Sequence, residues 1–138
     1  MNTLKVKFNG TPVRYKQPMD LRLVGREPVI DYPQPANKYY TTIMFDPDAP
    51  SYEDPVNKNW LHWLRINNKL SIVPFQPSDP PKGSGPHRYC ICLLEQQKPI
   101  EVPEFEQYQR RAKFNVEQFV NRYRLKPVGY TMYVAERH

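Results

Sequence analysis

Three short blocks hold most of the side chains that could do chemistry: DPDAPS (46–51), WLHW (60–63) and DPPKGSGPHRY (79–89). Carboxylates, imidazoles and a phenol in that arrangement could ligate a metal, move protons or hold an anion. Metal ligation fails on spacing. No His-x-His, His-Glu-x-x-His or cysteine/histidine pair stands at ligand distance, so neither a metal nor another cofactor is expected. A nucleotide P-loop fails on order, since Lys82-Gly83-Ser84 leads into a strand instead of opening a helix. Ser84 lies in Gly-Ser-Gly, not in Gly-x-Ser-x-Gly, and no nucleophile is paired with a base in reach, so the chain is not expected to be an enzyme. Taken singly, each remaining residue also has a purely structural reading. Asp46 and Asp48 can be turn formers, His62 a hydrogen-bonded core histidine, and His87 the flank of a turn.

Composition narrows the setting. A chain of 138 residues reads as one domain over 1–138, long enough to bury roughly two-thirds of its unfolded surface. Sixteen prolines accompany ten tyrosines, six phenylalanines and two tryptophans. Disorder depletes aromatics, so the prolines mark pinned turns in a folded β domain. The formal charge of +6 fits an anionic partner such as phospholipid, phosphoprotein or nucleic acid, or simply a basic soluble protein. Arg110, Arg111, Lys113, Arg122, Arg124 and Lys126 read as a solvated basic face, and nucleic acid is not the expected partner. There is no apolar run near the ~20 residues that span a bilayer, and no leader is expected at Met1. Cys90 and Cys92, alternate residues of one strand, are badly spaced for a disulfide. They read as small buried hydrophobes, and the expected location is cytoplasmic.

The blocks sit between short strands. Leu4, Val6 and Phe8 alternate with polar residues and end at Asn9-Gly10. Leu21–Leu23 and Pro28–Ile30 read as further strands. Tyr39–Phe45 is apolar at nearly every position, the pattern of a buried central strand, and stops at the proline-rich DPDAPS. Trp60–Asn67, Leu70–Val73, His87–Leu94 and Tyr130–Ala135 complete about eight strands. Only Asn115–Leu125 has helical spacing, with Val116, Phe119, Val120 and Tyr123 on one face and Asn115 as N-cap. The pattern predicts a mainly β, Greek-key sandwich with one short helix near the C-terminus. Each chemical block falls at the end of a core strand, where loops of a sandwich gather.

DPDAPS, then NWLHWLRIN, then PPKGSGPHRY and a strand, in that order and separation, resembles the phosphatidylethanolamine-binding protein family. That family includes the Raf kinase inhibitor proteins and the plant flowering-time regulators. The similarity continues through RRAKFNVEQFVNRYRLKPVGYTMYVAE and covers essentially the whole chain. It implies a β-sandwich with a small anion pocket at one edge, and members that are not generally enzymes. Residue by residue it implies a pocket drawn from Asp46, Asp48, Trp60, His62, Pro80, Pro81, His87 and Tyr89, with Phe114 near the mouth. Asp79 joins that wall at a position where the family has glycine. The chain also departs from the family in beginning its first strand close to Met1 and in stopping at His138, before the family's C-terminal helix. A short core with a more open pocket is therefore expected.

The function that the resemblance implies is a binding module for a phosphate-bearing group, a phospholipid head or a phosphorylated side chain. Such a module would regulate a kinase or another signalling partner and touch membranes only peripherally. The alternative is an interaction protein with a degenerate pocket, one component of a larger assembly.

Overall fold

The structure, a computed structural model, describes residues 1–101 and 111–138. Its strands are β1 (Asn2–Thr3), β2 (Lys5–Phe8), β3 (Thr11–Pro12), β4 (Val29–Asp31), β5 (Tyr40–Asp46), β6 (Trp60–Ile66), β7 (Leu70–Val73), β8 (His87–Glu95) and β9 (Lys126–Ala135). One helix, α1 (Val116–Arg122), precedes β9. Six strands form a sheet in the order β1-β9-β8-β5-β6-β7, and three form a second in the order β3-β2-β4. Among the described residues, the pairings between these strands are antiparallel except β1 with β9, and an isolated parallel bridge joins Pro18 to Val134.

The sandwich follows from which face each residue presents. Alternation in β2 turns Val6 and Phe8 inward, where with Leu4 and Ile30 they meet Met44, Trp63, Tyr89, Ile91 and Tyr133 of the large sheet. Ile43, Leu61, Leu64 and Leu94 face the other way and are covered by Phe114, Phe119 and Leu125. The middle strands are therefore buried on both faces, which is why Tyr39–Phe45 is apolar at nearly every position and its two threonines, Thr41 and Thr42, are buried as well. Asn115 caps α1 by accepting the Gln118 N–H at 2.9 Å.

Several element assignments differ from the sequence pattern, which does not include the two-residue strands β1 and β3. Leu21–Leu23 is one 3-10 turn instead of a strand. Asp20 accepts the Arg22 backbone N–H at 2.9 Å and also forks its guanidinium, a local bond that competes with strand pairing. The helix ends at Arg122 because Arg124 takes a left-handed φ of 52°. β9 begins at Lys126, four residues early. Pro127 is tolerated because β1 joins that side only from Gly129 onward, leaving the start of β9 at an edge. No helix among the described residues is long and apolar enough to cross a membrane.

Candidate anion-binding cleft

β5 ends, and β6 and β8 begin, at the same edge of the large sheet. Between those ends opens a cleft of about 230 Å³, lined by Asp46, Trp60, His62, Asp79, Pro80, Pro81, His87 and Tyr89 among others. That is smaller than the ~300–1,000 Å³ of drug-sized sites and suits a compact group. The period of two in β8 supplies part of the wall. Tyr89 and Ile91 face the inter-sheet core, so His87, two residues earlier on the same face, meets the cleft where that core ends.

His62 enters by a different device. Met44 pairs with Trp63, but the next residue, Phe45, pairs with Leu61. His62 is the extra residue of a β-bulge, so it can turn to the same side as Trp63. Its ring meets Tyr89 edge-on at 5.3 Å. The bulge leaves carbonyls out of the ladder, and Arg111 bonds them: Nη1 donates to Leu61 O and His62 O at 3.0 Å each, and Nη2 to Pro74 O at 2.7 Å. His62 Nδ1 lies 2.7 Å from Gln76 O. A carbonyl only accepts, so Nδ1 carries the proton, and Nε2 is left with a lone pair and no partner among the described residues. Burial lowers the His62 pKa below the ordinary histidine value. Gln76 also accepts the Trp60 indole N–H at 2.6 Å, which fixes the rim.

His87 is committed on both ring nitrogens. Nδ1 is 2.6 Å from Asp46 Oδ2, and Nε2 is 2.8 Å from Ser84 Oγ. The structure thus places a hydroxyl beside an imidazole, which the sequence did not suggest. The connectivity resembles that of a hydrolase triad, but the protons run the other way. Ser84 Oγ donates to Pro81 O at 2.6 Å, so its one proton is spent. The hydroxyl proton thus points at a carbonyl and not at the imidazole, so Ser84 and His87 are not arranged as a nucleophile and its base. Tyr89 is stacked between His87 and Tyr133, and burial pushes its hydroxyl pKa well up, so it stays a protonated donor.

Two residues named from the resemblance stand outside the cleft lining. Asp48 is 2% exposed and its carboxylate is consumed by Arg88: the backbone N–H at 2.8 Å, Nε at 3.0 Å and Nη2 at 2.8 Å. It ties the loop after β5 to the start of β8. Phe114 is drawn behind the sheet because Phe114 N–H bonds Asn59 O at 2.8 Å, and its ring joins Phe119 in the outer apolar cluster. Asp79 does line the cleft. Asp79 takes no left-handed conformation, so it meets no glycine-specific backbone demand there. Lys82 is exposed and does not line the cleft. Gln76, Ser84 and Arg137 are the contributors that sequence reasoning missed, and of these only Ser84 lies inside a singled-out block. Arg111, read as part of a solvated basic face, is instead bonded to the carbonyls at the bulge, and Arg110 of that face lies outside the described residues. Among the described residues no group of three His, Cys, Asp or Glu side chains could hold a metal. Cys90 and Cys92 are free thiols, and burial pushes Cys92 up to about 12.

A sequence profile of the phosphatidylethanolamine-binding protein family matches residues 26–133. The chain belongs to that family. It is 30% identical over 137 residues to the putative odorant-binding protein A5 of Drosophila melanogaster, across 88% of this chain and 64% of that protein. Thus about a third of that relative's length has no counterpart in the alignment. Among solved structures, a carboxypeptidase Y inhibitor complexed with its cognate proteinase superposes with a TM-score of 0.85 at 21% identity, over 99% of this chain and 83% of that one. The phosphatidylethanolamine-binding protein from Plasmodium vivax gives 0.79 at 21% identity, over 100% and 88%. At these identities the structures establish the shared fold, the β-sandwich of the phosphatidylethanolamine-binding proteins. That fold supports a binding-type module.

Proposed function

We propose that this chain is a non-enzymatic binding module whose cleft takes a phosphate-bearing group, from a phospholipid head or a phosphorylated side chain. The observation that carries the reading is the open Nε2 of His62 beside Tyr89 in a small cleft of about 230 Å³. A phosphate oxygen needs donors. With Nδ1–H held by Gln76 O, His62 supplies one by taking a proton on Nε2, and a donor that is charged bonds roughly twice as strongly as a neutral one. The Tyr89 hydroxyl supplies a second. The Asp46 carboxylate would repel the same anion, but it is spent on His87, and Asp48 lies outside the lining, spent on Arg88. Trp60, Pro80 and Pro81 form an apolar rim that needs little ordering on binding. A kinase or another signalling protein bearing such a group is the partner class this reading admits.

Titration of phosphate and phosphoethanolamine into labelled protein, followed by NMR, tests the reading. Shifts should centre on His62, Tyr89 and His87. Their absence at millimolar ligand would refute it.

A further inference from the structure

Asp79 puts a carboxylate in the wall of a cleft read as anion-binding, and a residue 58 positions away answers it. Arg137 Nη2 donates to Asp79 Oδ1 at 2.6 Å, and Arg137 Nε donates to Pro80 O at 3.1 Å. One guanidinium therefore holds two consecutive residues of the cleft wall, Asp79 by its charge and the buried Pro80 by its backbone. The planar fork makes both bonds at once, which a lysine ammonium on its flexible stem does not reproduce.

The ion pair faces water, with the Arg137 side chain 43% and the Asp79 side chain 82% exposed. Exposed pairs add little to stability, so its consequence lies elsewhere. The Asp79 charge reaches into the site, where it adds to the upward push that burial gives the Tyr89 hydroxyl. An uncompensated carboxylate there would oppose any bound anion.

We propose that Arg137 is a positioning residue of the cleft, holding the Asp79 carboxylate outward and cancelling its charge so that an aspartate can stand in an anion-binding wall. This rests on the anion reading of the cleft. It assigns the site's tolerance for Asp79 to a partner brought in by the end of β9.

The test is a double-variant cycle read by inorganic phosphate affinity. Arg137→Gln should weaken phosphate about 2- to 5-fold at low salt, the range of an exposed charge interaction, and the loss should shrink at high salt. Adding Asp79→Asn to Arg137→Gln should restore wild-type affinity, which simple damage to the wall would not do. Wild-type affinity in Arg137→Gln, or a double variant as weak as the single one, overturns the proposal. If the wild type itself binds no phosphate, the anion reading falls, and the ligand-free protein decides the inference. The Tyr89 ring resonances, followed by NMR, feel the Asp79 charge and should shift in Arg137→Gln and return in the double variant. Unmoved resonances overturn it.

Discussion

Anion affinity should depend steeply on pH through one nitrogen. His62 Nδ1 is 2.7 Å from Gln76 O, so the ring meets the cleft with a lone pair until Nε2 takes a proton. Burial depresses the pKa of the empty site, so above the ordinary value of about 6.5 the ring is neutral and each bound anion must bring a proton with it. One proton per anion means tenfold in affinity per pH unit, so from pH 6.5 to pH 8 the loss is about 30-fold, or ~2 kcal/mol. Sulfate is the probe of choice because its own charge is constant across that interval. Calorimetry in buffers of different ionisation enthalpy should register the proton directly. His62→Gln, which keeps a neutral amide donor, should bind sulfate weakly and without the slope. A wild-type affinity that is flat across the interval refutes the reasoning. The same group sets a sign for the ligand-free protein. Its folded pKa is lowered, so as pH falls through about 6.5 the unfolded chain takes up the proton first and stability declines.

Asp48→Asn should cost about 1.5–3 kcal/mol in urea unfolding, because a carboxylate that accepts three Arg88 bonds is replaced by a group that turns an amide toward the guanidinium. Burial alone would raise the Asp48 pKa, but the bonds from Arg88 lower it overall. Its contribution is thus present above about pH 3.9 and is lost as pH falls through the lower folded value, which an acid-unfolding comparison with Asp48→Asn will show. Arg111→Met should cost about 1–3 kcal/mol by removing the guanidinium bonds to Leu61 O, His62 O and Pro74 O, although His62 O keeps the Gln76 N–H, and should displace the His62 ring resonances while leaving those of Ile91 unchanged. Phe119→Ala, which empties a 2% exposed site under α1, should cost about 3–5 kcal/mol in the same assay and spare the cleft.

Most of the fold was legible because period and punctuation agree. The double-sided burial of β5 shows in its nearly continuous apolar and β-branched run, and the N-cap of α1 shows in Asn115. What failed were places where a local bond outweighed the pattern. Leu-Arg-Leu is strand-like by type, yet the Asp20 carboxylate two residues from Arg22 closes a turn. The bulge at His62 is equally hidden, because WLHW carries no mark of a register shift that exists only between β5 and β6. That shift decides which side of the sheet His62 faces. Without it His62 would alternate away from Trp63 and face the outer cluster.

The site was legible as a set of residue types but not as a division of labour. Asp46, Asp48, His62 and His87 lie in the expected blocks, and sequence alone gives them similar standing. Geometry separates them: Asp46 and Asp48 are both consumed inside the protein, His87 is held at both nitrogens, and His62 alone is open. The same holds for Asp79. Read along the chain, it is a lone departure that puts negative charge beside an anion. In space it is half of a pair with Arg137, which carries no signal in the sequence because nothing links positions 79 and 137 until β8 and β9 bring their ends together, His87 opposite Ala135. A residue that breaks a family's pattern should therefore be judged together with whatever the fold places against it.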